Sequence, residues 1–258
     1  VEQRITDSIK AEKYETAKKA LFALKEATPD DKTIPDRMLQ VDTRLFEKNF
    51  WDNLTQGKTD EAYAQFIQVS QSADFPTILK GLAKSPDDMV SYFTALAGTA
   101  SNESRFQTAW KLFQQAQDIR ARTNSSLART AQETAFADIV AHQYQVTNQA
   151  TYPGVSLGYL AVIERINPDA ADLATKWQKA EAAVLKKITN ALAVSEEAIP
   201  SDKIAEYTEV AKSYAKDGNA MLAAESAAKA FVIANSKKKD TRAVKALLEE
   251  NAVKTLAP

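Results

Sequence analysis

The 258-residue sequence contains no cysteine, so disulfides, thiolate catalysis and cysteine-bound zinc are all excluded. A single histidine, His142, cannot build a zinc site alone, and no His-Glu-x-x-His motif occurs. The six glycines are isolated, so no glycine-rich loop fits a phosphate group. Because free thiols are a hazard in oxidising compartments, we expect a periplasmic or other extracytoplasmic location, and a cytoplasmic one stays open.

The chain also lacks a long apolar run and an excess of charge. No stretch approaches the ~18 apolar residues of a membrane span, so we predict no direct membrane insertion. Lysine and arginine total 33 against 34 acidic residues, and the two signs also balance within residues 1–129. This balance argues against nucleic acid or an anionic membrane as a partner. Since the chain begins at Val1 rather than methionine, we expect it to be processed or cut from a longer protein.

Glycine and proline are scarce as well, at 6 and 8 residues, while 45% of the chain is hydrophobic. Good helix formers dominate and strand-forming runs are few, which predicts an all-α fold. A chain of this length is near the size limit of one compact core. An elongated stack of helices avoids that limit.

Residues 203–235 predict two amphipathic helices joined by a turn at Asp217 and Gly218. Helical spacing places one set of side chains on a single face of the first helix: Tyr207, Val210, Ala211 and Tyr214. The second helix carries a stripe of small residues: Ala220, Ala223, Ala227 and Ala230. Small residues allow two backbones to approach closely, and Gly218 is expected in the left-handed conformation at the helix end.

This order of aromatic, aliphatic and small residues around a glycine turn resembles a tetratricopeptide repeat. Similar patterns recur, and their marker positions are separated by 45, 47, 47 and 67 residues: Ala17, Ala62, Ala109, Ser156 and Ala223. The family repeats every ~34 residues, so these hairpins are longer and irregular. The resemblance implies a right-handed α-α superhelix, an α-solenoid of about 12–13 helices in antiparallel hairpins.

We predict one elongated helical-repeat domain over residues 1–258, with a subdivision near 148–153 or 194–201 as the alternative. The chain is expected to break at Pro76, Gly81 and Pro86. A long helix over 125–147 is predicted to point one stripe inward: Leu127, Ala131, Ala135, Ile139 and Val146.

Two Ser-x-x-Lys matches, Ser213–Lys216 and Ser226–Lys229, place a hydroxyl and an amine on one helical face. A hydrolase of the penicillin-binding type also needs Ser-Asp-Asn and Lys-Thr-Gly motifs, which are absent. We therefore predict that the chain is not an enzyme and has no catalytic residue, metal site or cofactor.

The resemblance implies that the chain binds another protein or a peptide segment. If the first helices of two hairpins line a concave groove, its lining is small and nearly uncharged: Ser91, Thr94 and Gly98 in one, Ala205, Thr208 and Lys212 in the other. Binding through the convex face or through the loops is the open alternative. The predicted function is a non-catalytic interaction scaffold or adaptor, part of a larger envelope, secretion or assembly protein. The alternative is a helical scaffold domain of a larger enzyme, for instance one that processes cell-wall glycan.

Overall fold

A computed structural model describes residues 1–256, and within them it contains thirteen α-helices and no strand. The prediction of an all-α protein is therefore confirmed. In chain order the helices are α1 (Glu2–Lys10), α2 (Tyr14–Ala27), α3 (Ile34–Thr55), α4 (Thr59–Ser70), α5 (Phe75–Gly81), α6 (Pro86–Asn102), α7 (Phe106–Thr123), α8 (Ala131–Val146), α9 (Pro153–Ile166), α10 (Leu173–Leu192), α11 (Lys203–Lys216), α12 (Ala220–Ser236) and α13 (Arg242–Lys254).

The helices form two compact units. Unit 1 comprises Val1–Tyr92 and Gln115–Leu127, and unit 2 comprises Phe93–Gln114 and the chain from Ala128 onward. Helices α6 and α7 each contribute residues to both units. The chain passes between the units after Tyr92, Gln114 and Leu127, whereas the subdivision considered from the sequence lay near 148–153 or 194–201. The single-domain interpretation and the right-handed superhelix stay predictions.

In unit 1, neighbouring helices pack in chain order, α1 on α2, α2 on α3, and α3 on both α4 and α5. One buried cluster joins the first three helices and contains Ile5, Leu21 and Val41. Between α4 and α5 the rings of Phe66 and Phe75 meet edge to face, with centroids 5.9 Å apart.

The break expected around Pro76 is instead the short helix α5, which begins one residue before that proline. Proline fits the first turn of a helix because its missing N–H has no partner there in any case. Phe75 and Ile78 are buried, and their packing holds a helix too short to form alone.

Helix α9 is the centre of unit 2, and α8, α10, α12 and α13 all pack against it. Every residue from Pro153 to Ile163 is buried, as expected for a helix that is apolar all round. Two glycines on α9 permit close approach. An added Cβ at Gly154 would lie 2.7 Å from the Cα of Glu225 in α12, and one at Gly158 would lie 2.6 Å from the Cβ of Ala252 in α13.

The inward stripe predicted for residues 125–147 is wrong in register. Helix α8 begins at Ala131, where Thr130 and Glu133 form a capping box, and Ala131, Ala135 and Val146 are exposed. The buried face instead contains Glu133, Phe136, Ala137, Val140 and Tyr144. This register buries two aromatic rings, and Phe136 packs on Phe113 with ring centroids 5.1 Å apart. The larger apolar area decides between the two helical faces.

The predicted pairing of residues 203–235 is confirmed, because α11 and α12 pack on each other across the turn. Ala211 is buried on α11, and Ala223, Ala227 and Ala230 are buried on α12. Asn219 caps α12 by accepting a hydrogen bond from the backbone N–H of Leu222 at 3.2 Å. Gly218 has a φ of +77°, which is the left-handed conformation expected of it.

Replacing Gly218 with valine is expected to lower the free energy of unfolding by about 1 to 2 kcal/mol. An added Cβ meets no atom within 4 Å, so the loss comes from the strain of a β-branched residue at positive φ. Asparagine tolerates this conformation, and Gly218→Asn should lose less. Urea titrations of both variants measure the difference. Equal stability of Gly218→Val and the parent would contradict the hairpin assignment.

Candidate partner-binding site

Helix α11 covers α12 with one side and leaves most of its surface open. Of the fourteen residues of α11, all of which the structure describes, only Ala211 is buried. The predicted groove residues Ala205 and Lys212 are exposed, and Thr208 is half-buried. Spaced by three and four positions, these three residues share one face of the helix. Helix α11 therefore presents part of the predicted site to solvent.

The other predicted lining residues lie on α6 and differ from one another. Ser91 is exposed, whereas Thr94 is only 1% exposed. Gly98 is covered by α8, because an added Cβ would lie 2.5 Å from the Cγ of Gln132. Thr94 is therefore closed to a partner in this structure. Helical periodicity could not reveal this, because it cannot show how many sides of α6 are covered.

Apolar groups add to the open surface of the hairpin. Val210 on α11 is 37% exposed, and Met221 and Leu222 at the start of α12 are 38% and 39% exposed. Tyr207 and Tyr214 are half-buried on α11. The Nζ of Lys229, on α12, lies 5.2 Å from the centroid of the Tyr207 ring. This cation–π contact covers one face of the ring. Tyrosine and aliphatic side chains of this kind supply contact area to a partner.

Charges on α11 are matched within the helix itself. Lys212 pairs with Glu209 at 2.7 Å, and Lys203 pairs with Glu206. The hydrogen bond that Lys203 donates to the Glu206 carboxylate raises the pKa of Lys203 above its usual range. The hydroxyl of Thr208 donates to the carbonyl oxygen of Ile204 at 2.6 Å. The exposed side of α11 thus carries paired charges with little net charge, together with the methyl group of Ala205.

The motifs weighed for chemistry lie apart from this face or are enclosed. Ser226 is buried, Ser213 is exposed on α11, and His142 is exposed on α8. Within residues 1–256, no three His, Asp or Glu side chains come close enough together to hold a metal ion. Across the same described range, the helices are all too short or too polar to cross a bilayer.

Besides Glu133 of the α8 capping box, sequence reasoning missed three other buried carboxylates that organise the helices. In unit 2, Oε1 of Glu225 accepts hydrogen bonds from the backbone N–H groups of Gly154 at 2.7 Å and Val155 at 3.0 Å, and so caps α9 from α12. In unit 1, Oε1 of Glu47 accepts from the backbone of Ala83 and Lys84, both at 2.8 Å. One signal was visible for Glu225, since it is the only acid in the apolar run of α12.

The third carboxylate, Glu249 on α13, is fully buried and pairs with Arg165 of α9 at 2.8 Å. Burial raises its pKa, against the attraction of Arg165. This pair ties α13 to the central helix of unit 2.

Comparison with known proteins gives no relative: no family model, no curated protein and no solved structure matches this chain.

Proposed function

We propose that the chain is a non-catalytic protein–protein interaction module built from tetratricopeptide-like hairpins, with α11 as a contact surface. The observation that carries the proposal is the exposed side of α11, which holds Ala205 and Lys212 with Thr208 half-buried at its edge, while Val210 is 37% exposed on another side of the same helix. Ala211 is the one fully buried residue of α11, and Ile204, Tyr207 and Tyr214 are only half-buried, so apolar surface remains uncovered on this helix. A partner segment on this face would bury the remaining apolar area.

The partner's contact is expected to rely on apolar burial and a few hydroxyl hydrogen bonds. Lys212 is already paired with Glu209, so charge matching contributes little. Ala205 and Thr208 leave room for another backbone to come close. The extracytoplasmic location and the larger assembly to which the chain contributes are part of the same proposal, and they rest on the lack of cysteine and the family resemblance.

The double variant Ala205→Arg, Thr208→Arg is expected to weaken partner binding at least about tenfold, because two long charged side chains cover the face. Affinity capture from an extract of the native source, followed by titration of the captured protein, measures the loss. Helix α8 offers a matched control, Ala131→Arg with Thr134→Arg. Ala131 and Thr134 are exposed and are three residues apart, as Ala205 and Thr208 are. The hydroxyl of Thr134 donates to the carbonyl oxygen of Thr130, just as that of Thr208 donates to the carbonyl oxygen of Ile204.

Loss of the partner by the α11 variant and its retention by the α8 variant would support the proposal. Retention by both variants would rule the α11 face out. A parent chain that retains nothing above a bare matrix would count against an interaction module. Circular dichroism spectra must match for all three proteins.

A further inference from the structure

Helix α13 packs on α9 and α12 in unit 2, and its docked face includes two polar side chains. Glu249 and Asn251 are both 0% exposed, and the apolar residues buried on the same helix are Val244, Leu248, Ala252 and Val253. Burying a polar group is costly unless its donors and acceptors find partners. We call α13 together with residues 237–241 before it the α13 strap.

Two acceptors on the docked face of α13 have no donor. Oε1 of Glu249 and Oδ1 of Asn251 receive no hydrogen bond from residues 1–256. Among the described residues, α9 and α12 contain no buried side-chain atom left unpaired in this way. Undocking of α13 would expose both acceptors to water and remove the cost of burying them.

Glu249 also brings a carboxylate into the interior of unit 2. Nε and Nη2 of Arg165 on α9 both reach its Oε2, at 2.9 Å and 2.8 Å. The arginine side chain is 37% exposed, whereas that of Glu249 is 0% exposed. Because the arginine stays partly hydrated and one carboxylate oxygen is unpaired, attraction does not offset the loss of hydration of the carboxylate. Burial accordingly raises the pKa of Glu249 against the attraction of Arg165.

The other charged groups around Glu249 compensate one another. Lys245 of α13 pairs with Glu164 of α9 at 2.5 Å, and the two act on the pKa of Glu249 in opposite directions. The remaining charged side chains of α12, α11 and α13 are paired, held elsewhere or exposed: Glu225 on the start of α9, Lys229 over Tyr207, Lys203 with Glu206, Lys212 with Glu209, Lys216 exposed, Arg242 with Asp240, and Glu250 with Lys254. Glu249 is therefore the group through which pH acts on the docking of α13.

Release of α13 leaves the rest of unit 2 in contact. Helix α9 still packs on α8, α10 and α12, and Glu225 of α12 still accepts from the first backbone N–H groups of α9. Helix α13 begins at Arg242 without a side-chain cap and without an acidic residue in its first turn, so its start lacks two common sources of stability. Residues 238–240 before it are exposed. These features allow α13 to open as a unit.

We propose that the α13 strap undocks from α9 and α12 as one unit while the rest of unit 2 stays folded, and that it undocks more readily as the pH rises. At low pH the side chain of Glu249 is protonated, and α13 is held most tightly. As the pH rises through the pKa of the docked carboxyl, docking requires a charge in the interior that the open state leaves in water. Opening uncovers the part of α9 at Gly158, on which Ala252 and Leu248 pack. The strap does not depend on partner binding at α11.

Hydrogen exchange of the whole chain, followed by mass spectrometry at about pH 4.5 and about pH 8, tests the strap. Dividing each rate by the intrinsic exchange rate at the same pH gives the opening constant of each segment. At the higher pH the opening constant over residues 246–253 should exceed that over residues 155–163 of α9 at least about tenfold. It should also rise at least about threefold from the lower pH to the higher one.

Glu249→Gln keeps the shape of the side chain and does not ionise. This variant should lower the opening constant of α13 at about pH 8 at least about threefold and remove most of its dependence on pH. Glu250→Gln is the matched control at the next position of the same helix. Glu250 is exposed and pairs with Lys254, so this variant should behave as the parent does.

Equal opening constants over α9 and α13 would show that α13 opens together with the whole unit, and would overturn the proposal. An opening constant of α13 that falls as the pH rises would overturn it as well, and so would a pH dependence that Glu249→Gln retains. The parent chain alone provides the first two results, so these do not depend on how well either variant folds.

Discussion

Replacing Gly154 with alanine is expected to lower the free energy of unfolding by about 3 kcal/mol. The new Cβ would lie 2.7 Å from the Cα of Glu225 and 3.0 Å from the Cβ of Ala228, and a backbone atom cannot move aside as a side-chain tip can. Helices α9 and α12 must therefore separate. Their separation also weakens the two backbone hydrogen bonds that Glu225 accepts at the start of α9.

Gly98→Ala is the matched control within the same unit. There an added Cβ would lie 2.5 Å from the Cγ of Gln132, which can rotate away on an exposed, flexible side chain. It would also lie 3.0 Å from the Cβ of Gln132, which needs a shift of only a few tenths of an ångström, and no backbone atom lies as near. Alanine is favoured over glycine in a helix interior by roughly 1 kcal/mol, so this variant should stay within about 1 kcal/mol of the parent. Urea denaturation of both proteins gives the comparison. Equal losses at the two positions would show that close packing of α9 on α12 is not what holds them together.

Much of the helical architecture could be predicted from the sequence because local signals agree with the tertiary structure. The hairpin of α11 and α12 combines a periodic apolar face with a glycine that alone tolerates φ near +77° without strain. Pro29 follows the end of α2, and Pro168 follows the end of α9. In each case the chain cannot continue as a helix through the proline.

The errors arise where packing decides between patterns of similar strength. Helix α8 has two plausible apolar faces, and contact of Phe136 with Phe113 selects the one that includes the aromatic rings. The central position of α9 follows from its contacts with four other helices, which no local period records. Its run of eleven residues without a charge, from Pro153 to Ile163 with Gly154 and Gly158 inside it, was the available signal.

The candidate sites divide in the same way. Ala205 and Lys212 were correctly predicted to lie outside the buried stripe of α11, because that helix is covered on one side. Thr94 fits the same spacing rule on α6 and is nevertheless buried.

Replacing Arg165 with methionine is expected to lower the free energy of unfolding by about 3 kcal/mol at neutral pH. Glu249 is fully buried, and only one of its oxygens, Oε2, is paired, by the Arg165 guanidinium at 2.8–2.9 Å. Oε1 receives no hydrogen bond from the residues of 1–256. Removing the arginine leaves a buried carboxylate without its counter-charge, which is far costlier than losing an exposed ion pair. Methionine keeps an apolar stem against Trp110, over whose ring the guanidinium lies at 6.0 Å.

This loss should depend on pH in a direction fixed by Glu249. Burial raises the pKa of its carboxyl in the folded protein, and the unfolded chain keeps the ordinary value. A raised acid pKa favours folding fully below the unfolded pKa, and that contribution disappears as the pH rises through the folded pKa. Arg165→Met raises the folded pKa further. Its destabilisation relative to the parent should therefore shrink as the pH falls from neutral towards the ordinary carboxyl pKa of about 4.5, because the buried carboxyl takes up its proton above that value.

A double-mutant cycle with Glu249→Gln isolates the pair, because glutamine has nearly the same shape and does not ionise. In that background Arg165→Met should cost less than about 1 kcal/mol, and the cost should not change with pH. Urea titrations of the four proteins at neutral and at mildly acidic pH provide the measurement, and other titrating groups cancel in the differences. A large loss that persists in the Glu249→Gln background would mean that Arg165 stabilises unit 2 through its contact with Trp110 rather than by compensating a buried charge.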